Sequence, residues 1–325
     1  MPPPATPEFW RERGLLSTLL QPLAWAYGAG AAARRSTVRS WHASVPVICV
    51  GNLVAGGAGK TPVVLSLAAR LAARGRSPHI LSRGYGGHLA GPLVVVPGRH
   101  DAAAVGDEPL LLAETAPCWV ARDRVAGAKA AIAAGADLLL LDDGLQNPSL
   151  AKTLSLLVID GAYGFGNHRV LPAGPLREPI AVGLARADVV VQMGADEAGL
   201  APFLVGKAVL RAQLRAENAA DVAGAAVIAF AGIARPAKFF AMLESAGAQP
   251  IEYRAFPDHH LYDAAELDAL RRRRDGVPGA QLVTTAKDWV RLAPEWRAEV
   301  SVLTVSVAWE DEAALDRLLD RIDHG

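Results

Sequence analysis

The run Gly51-Asn52-Leu53-Val54-Ala55-Gly56-Gly57-Ala58-Gly59-Lys60-Thr61 carries the clearest chemistry in the chain. It follows a short β-branched segment and precedes a stretch that reads as a helix. Glycines let consecutive backbone N–H groups point at an anion, and a helix N-terminus adds its positive dipole. A lysine after the last glycine can reach the β- and γ-phosphates of a nucleotide, and the next hydroxyl can ligate magnesium. Gly51, Asn52, Gly56, Gly57, Ala58, Gly59, Lys60 and Thr61 are therefore the candidate ATP contacts. The common pattern G-x-x-x-x-G-K-[ST] places its first glycine at position 54, where this chain has Val54. The strand–loop–helix setting supports the assignment instead.

Magnesium needs a second anchor at a neighbouring strand end. Leu138-Leu139-Leu140-Leu141-Asp142-Asp143-Gly144 supplies one, because four apolar residues place the following acid at the strand's C-terminal edge. Asp142 is the first choice for the metal and Asp143 the alternative. A small-molecule kinase also needs an acceptor site and often a base. Gly106-Asp107-Glu108-Pro109 opens a helix, where its acids can equally serve as caps. Phe256-Pro257-Asp258-His259-His260 puts vicinal histidines beside an acid, but no further His or Cys stands at ligand spacing. The loops Leu171–Pro179, with Arg177 and Glu178, and Ser82–Gly87, with Arg83, each present an arginine able to hold a phosphate bidentately. Nothing in these residues names the acceptor.

Alternating strands and helices must carry these loops. Strands are predicted at Val45–Val50, Ser77–Leu81, Leu93–Val96, Cys118–Val120, Asp137–Leu141, Leu154–Ile159 and Asp188–Gln192, with helices at Pro62–Arg74, Glu108–Thr115 and Arg124–Ala134. This alternation implies α/β architecture with a parallel sheet covered on both faces. The pattern restarts at Val227–Phe230, with a helix at Pro236–Ala246, a strand at Leu282–Thr284 and a final strand and helix from Val302. Residues 207–223 lack helical patterning and read as a linker. The expected organisation is an N-terminal segment (1–40), a P-loop NTPase-like domain (41–215) and a smaller α/β domain (216–325).

Apolar residues make up 51 % of the 325-residue chain, enough for a sizeable core. Lys+Arg and Asp+Glu both total 33, which argues against whole-protein attraction to nucleic acid. With only Cys49 and Cys118, a disulfide framework is not supported.

Gly14 to Ala33 carries no charge and is about the 20 residues needed to span a bilayer. A secretory signal, a membrane span, a helix lying in the interface and a helix packed on the protein's own core all compete. The interfacial reading is favoured. Leu16, Leu19, Leu20, Leu23 and Tyr27 share one helical face, Trp10, Trp25 and Trp41 suit headgroups, and Arg34, Arg35 and Arg39 suit an anionic membrane surface.

Eight segments in one order resemble the tetraacyldisaccharide 4'-kinase (lipid A 4'-kinase) family over nearly the whole chain. They are Gly51–Pro62, Leu81–Gly87, Gly106–Pro109, Leu141–Gln146, Leu171–Pro179, Phe230–Pro236, Phe256–His259 and Thr284–Asp288. The family loop has a glycine where Gly51 stands; Ala286 departs from the acid expected before Lys287-Asp288. The resemblance implies ATP- and magnesium-dependent phosphorylation of the 4'-hydroxyl of a tetraacylated glucosamine disaccharide 1-phosphate, a membrane lipid, at the cytoplasmic face of the bacterial inner membrane. It implies Asp107 as base, paired with His259, and places Glu108 and Asp142 near the metal and nucleotide. Arg177 and Glu178 become candidate active-site residues, and no obligate protein partner is implied. Two other functions use the same loop: a P-loop switch or metallochaperone-type NTPase, and a kinase for a soluble metabolite.

Overall fold

Val47–Gly51, the strand ahead of the glycine-rich loop, is buried at every residue, as the centre of a two-sided parallel sheet requires. It is β1 in a computed structural model that describes residues 7–323. Residues 1–6 of the expected N-terminal segment and residues 324–325 lie outside the described residues. The strands that follow are β2 (Pro78–Ser82), β3 (Leu93–Val94), β4 (Cys118–Val120), β5 (Leu138–Asp142), β6 (Leu154–Asp160), β7 (Val189–Met193), β8 (Ala208–Ala216), β9 (Ala226–Ala231), β10 (Gln249–Ala255), β11 (Gln281–Thr285), β12 (Val300–Leu303) and β13 (Val305–Trp309).

Nine strands form one sheet in the order β13-β8-β7-β6-β1-β5-β2-β4-β3. From β8 to β4 the strands are parallel, and the antiparallel strands β13 and β3 close the edges. Alternate residues of β1 feed opposite faces: Ile48 and Val50 join Val63, Val64 and Leu67 of the helix Lys60–Ala73, while Val47 and Cys49 face Leu139, Leu141 and Leu157. Both cysteines are buried and free. A second sheet, all parallel, has four strands in the order β10-β9-β11-β12.

Two expectations fail here. Residues 208–216 are not a linker but the strand β8, paired with β7 and β13. Leu210 and Ala212 are buried while Arg211 and Gln213 are exposed, a period-two pattern that a search for helical spacing passes over. The C-terminal unit also loses its tail: after Thr304 the chain crosses back, and β13 closes the larger sheet with Val305 opposite Ala216 and Trp309 opposite Ala212. The last helix, Glu312–Asp323, then buries Leu315 and Leu319 in the first core. Arg70 holds Asp316 at 2.6 and 2.7 Å, and Arg74 holds Asp320 at 2.9 Å. The strand β10 and the helix Ala264–Asp275 are additions to the predicted elements.

The N-terminal segment forms two helices, Leu15–Leu19 and Gln21–Thr37, broken at Leu20 ahead of Pro22. Their buried residues are the small Ser17 and Ala24. The apolar face points outward, with Leu15 79 % and Trp25 69 % exposed beside exposed Leu16, Leu19, Leu23 and Tyr27. That orientation removes the reading of a helix packed by its apolar face on its own core. No helix among the described residues is long and apolar enough to cross a membrane. Arg34 and Arg39 are exposed, whereas Arg35 turns inward to Glu178 at 3.5 Å.

Candidate active site

The glycine-rich loop is held open from within. Asn52 is fully buried, and its side-chain amide donates to the carbonyls of Val54 at 2.8 Å and Gly56 at 3.3 Å. Gly56 and Gly59 have φ of 118° and 86°, which favours glycine at both. Gly59 caps the helix Lys60–Ala73 with no side-chain bond, leaving first-turn N–H groups for an anion. Gly51 cannot bear a side chain, since a Cβ there would stand 2.5 Å from that of Leu145. Ala58 is buried, and Gly57 faces Ala234 of the second unit, with 3.3 Å left for a Cβ. The Thr61 hydroxyl makes no hydrogen bond among the described residues.

The loop 171–179 lies alongside. Ala55 N–H donates to Pro175 O and Arg177 N–H to Leu53 O, each at 2.8 Å. Arg177 reaches Asp143 at 2.7 Å, and Lys60 stands 3.8 Å from the other Asp143 oxygen. Burial alone would raise the Asp143 carboxyl, but Lys60 and Arg177 outweigh it and hold it at about 2. Glu178, also buried, accepts from Arg186 and from Gln146 at 3.0 Å; the same Gln146 amide donates to Asn52 O at 2.9 Å. Glu178 thus braces the loop's base and makes no contact with Asp107 or His259 among the described residues.

Asp142, at the end of β5, pairs in register with Val50 beside the loop. Its Oδ2 meets Ser82 at 3.4 Å, while its buried Oδ1 has no hydrogen-bond partner among the described residues. Burial, reinforced by the nearby Glu108 carboxylate, pushes Asp142 up to about 7. A buried, unsatisfied carboxylate oxygen fits a hard cation, and magnesium typically takes one or two carboxylates and completes its shell with water and phosphate. No cluster of three or more His, Cys, Asp or Glu that could hold a metal ion occurs among the described residues. Arg83 is exposed and makes no hydrogen bond or ion pair among the described residues. Arg124, not anticipated from sequence, is buried near Asp142 and donates to Ala121 O.

The two units meet at Asp107. This aspartate starts the helix Asp107–Leu112 and is 4 % exposed. Its Oδ1 accepts the Glu108 N–H at 2.8 Å, and its Oδ2 lies 2.8 Å from His259 Nδ1. Arg291 Nε also donates to Oδ2 at 2.8 Å. Burial would raise the Asp107 carboxyl, yet His259, Lys287 and Arg291 outweigh it and hold it well below the usual carboxylate range. Lys287 reaches Glu108 at 3.1 Å and His259 Nε2 at 3.5 Å. Burial works against the Lys287 ammonium, but Glu108, Asp107 and Asp258 keep its pKa above the ordinary value. The Tyr85 ring lies 5.5 Å from that of His259. His259 and Asp143 are two of the three described non-glycine residues with positive φ, at 57° and 55°. Such backbone concentrates at functional sites.

Lys287 belongs to a segment singled out in the sequence, but its partners were not legible there. Asp288 beside it is fully buried and accepts from Gly232 N at 2.8 Å, Tyr262 at 2.6 Å and Thr285 at 2.6 Å, making it an internal node. Arg291 carried no signal at all. The described residues thus include a glycine-rich anion loop, a buried carboxylate beside it and an Asp–His pair, groups that phosphoryl transfer to a hydroxyl can use.

Comparison with known proteins agrees. The family model described as tetraacyldisaccharide-1-P 4'-kinase matches residues 16–323. The tetraacyldisaccharide 4'-kinase of Rhodospirillum centenum is 56 % identical over 98 % of both chains, and that of Gluconacetobacter diazotrophicus 54 % over 97 % of both. The crystal structure of LpxK from Aquifex aeolicus in complex with ATP superposes with a TM-score of 0.77 at 28 % identity, covering 95 % of this chain and 99 % of that one. On sequence over nearly its full length and on its fold, the chain belongs to the tetraacyldisaccharide-1-P 4'-kinase family.

Proposed function

We propose that this chain transfers the γ-phosphate of ATP to the 4'-hydroxyl of a tetraacylated glucosamine disaccharide 1-phosphate. The observation that supports the reading is the Asp107–His259 contact at 2.8 Å, a carboxylate–imidazole pair able to take a proton. Loop N–H groups and Lys60 hold the β- and γ-phosphates. Thr61 and Asp142, with Glu108 beside them, would hold magnesium, which when bound neutralises charge on the phosphate oxygens. Arg177 and Arg83 would steady phosphate groups, and Glu178 and Asp143 would position the loop and its cations. The acceptor hydroxyl forms its bond to the γ-phosphorus as the bond to the β,γ-bridging oxygen breaks. Its proton passes to the His259–Asp107 pair, and ADP leaves.

Four acyl chains keep such an acceptor in a bilayer. The outward apolar face of the N-terminal helices, with exposed Arg34 and Arg39, supports docking on an anionic membrane surface, and dependence on ATP places the reaction at the cytoplasmic face. The test is turnover of labelled ATP with and without detergent-dispersed disaccharide lipid. Transfer of label to the lipid is expected; hydrolysis stimulated only by a protein partner would replace this reading with an NTPase switch.

A further inference from the structure

Arg291 is buried to 1 % side-chain exposure and belongs to none of the motifs described above. It is the group on which both halves of the Asp–His pair converge. Toward the first unit, Nε donates to Asp107 Oδ2 at 2.8 Å and Nη2 stands 2.6 Å from the same oxygen. Toward the second, Nη1 donates to Gly232 O at 2.9 Å and to Asp288 Oδ1 at 3.0 Å. The Gly232 carbonyl also accepts the backbone N–H of His259 at 3.0 Å. One guanidinium therefore fixes the Asp107 carboxylate directly and shares with His259 the carbonyl that fixes the histidine backbone.

The surroundings leave little freedom for another arrangement. A Cβ at Gly232 would stand 3.0 Å from His260 Cβ and from the Tyr262 hydroxyl, so the carbonyl's position depends on glycine. Asp288 is itself fixed by Tyr262, Thr285 and the Gly232 N–H. A planar fork can satisfy the carboxylate and the carbonyl at once, whereas the point charge of a lysine cannot.

We propose that Arg291 is a positioning residue for phosphoryl transfer, holding Asp107 in line with His259 without contacting nucleotide or acceptor. This rests on the Asp107–His259 pair acting as proposed above. It separates Arg291 from Lys287, which reaches Glu108 and His259 Nε2 rather than Asp107.

The experiment compares Arg291→Lys, which keeps the charge but loses the fork, with Arg291→Gln, which keeps much of the shape. Both are expected to lose kcat by about 100-fold, the scale of a displacement near 1 Å, while the KM for ATP stays near wild type. Guanidinium added to Arg291→Ala should recover part of kcat, which a merely destabilised protein would not show. In an Asp107→Asn background the Arg291→Lys change should cost little more, because the partner it positions is already disabled. Wild-type kcat in Arg291→Lys, or an equal loss in both backgrounds, overturns the assignment. Normal transfer by both Asp107→Asn and His259→Ala would remove the pair itself and this inference with it. Normal transfer by Arg291→Lys while those two are inactive removes this inference alone.

Discussion

His259 Nδ1 meets Asp107 Oδ2 at 2.8 Å although 152 positions separate them in the chain. Asp107 rides on a helix of the nine-stranded unit, and His259 follows β10 of the four-stranded one. Neither unit holds the pair alone, so the proposed transfer would require their apposition. Asp107→Asn and His259→Ala are each expected to lower kcat by about 10²- to 10⁴-fold while nucleotide binding persists. Steady-state transfer and a fluorescent-nucleotide titration check the two halves of that statement; wild-type kcat in either variant removes the residue from the pair.

Most strands and helices could be read from sequence because strand–loop–helix alternation is local. β1, β5 and the glycine-rich loop announce themselves by apolar runs ending in glycine or acid. β8 was hidden because its signal has period two over nine residues, with two arginines and three alanines interleaved among few large apolar groups. The return of β13 to the first sheet was hidden for a different reason: strand pairing is non-local, and nothing near Val305 names Ala216 as its partner. The same limit governs the site. Asp107, His259, Asp142 and Lys60 stand in motifs, whereas Arg291 is an ordinary arginine until folding carries it across 184 positions to Asp107. Glu178 shows the converse, a motif acid whose oxygens the fold assigns to Arg186, Gln146 and Arg35.

Gly106 controls where Asp107 begins. Its φ of 91° and a virtual Cβ only 2.4 Å from Tyr85 O leave no room for alanine. Gly106→Ala should therefore destabilise the fold by about 1–3 kcal/mol and shift the helix start that presents Asp107. Urea denaturation and transfer assays should both register the change; an unaltered midpoint would show that the loop relaxes freely.

Asp142 ionises at about 7 in the folded chain, against roughly 3.9 for an unfolded aspartate. The folded state thus holds this proton more tightly than the unfolded one. The stability it contributes is full below about pH 3.9 and is lost as pH rises through about 7. Asp142→Asn removes that loss. Without nucleotide or magnesium, the variant should gain on the order of 2 kcal/mol near pH 8 and nothing below about pH 4, while losing transfer. Chemical denaturation at the two pH values is the check, and an equal gain at both would show that ionisation is not the cause.

The outward face of the N-terminal helices makes the last prediction. Leu16, Leu19 and Leu23 are exposed, and a leucine moved from water into an apolar layer is worth about 1.5–3 kcal/mol. Changing all three to serine should weaken flotation with vesicles containing anionic lipid by well over tenfold. Arg34→Gln with Arg39→Gln should weaken it further at low salt and have less effect at high salt, because surface charge is screened. Arg35 behaves differently, since its guanidinium faces the buried Glu178 at 3.5 Å rather than solvent. Arg35→Gln should instead disturb the brace that runs from Glu178 through Gln146 to Asn52 O, raising the KM for ATP while vesicle binding changes little. Equal effects of Arg34, Arg35 and Arg39 substitutions on flotation would contradict this division between the outward-facing and loop-facing arginines of the N-terminal segment.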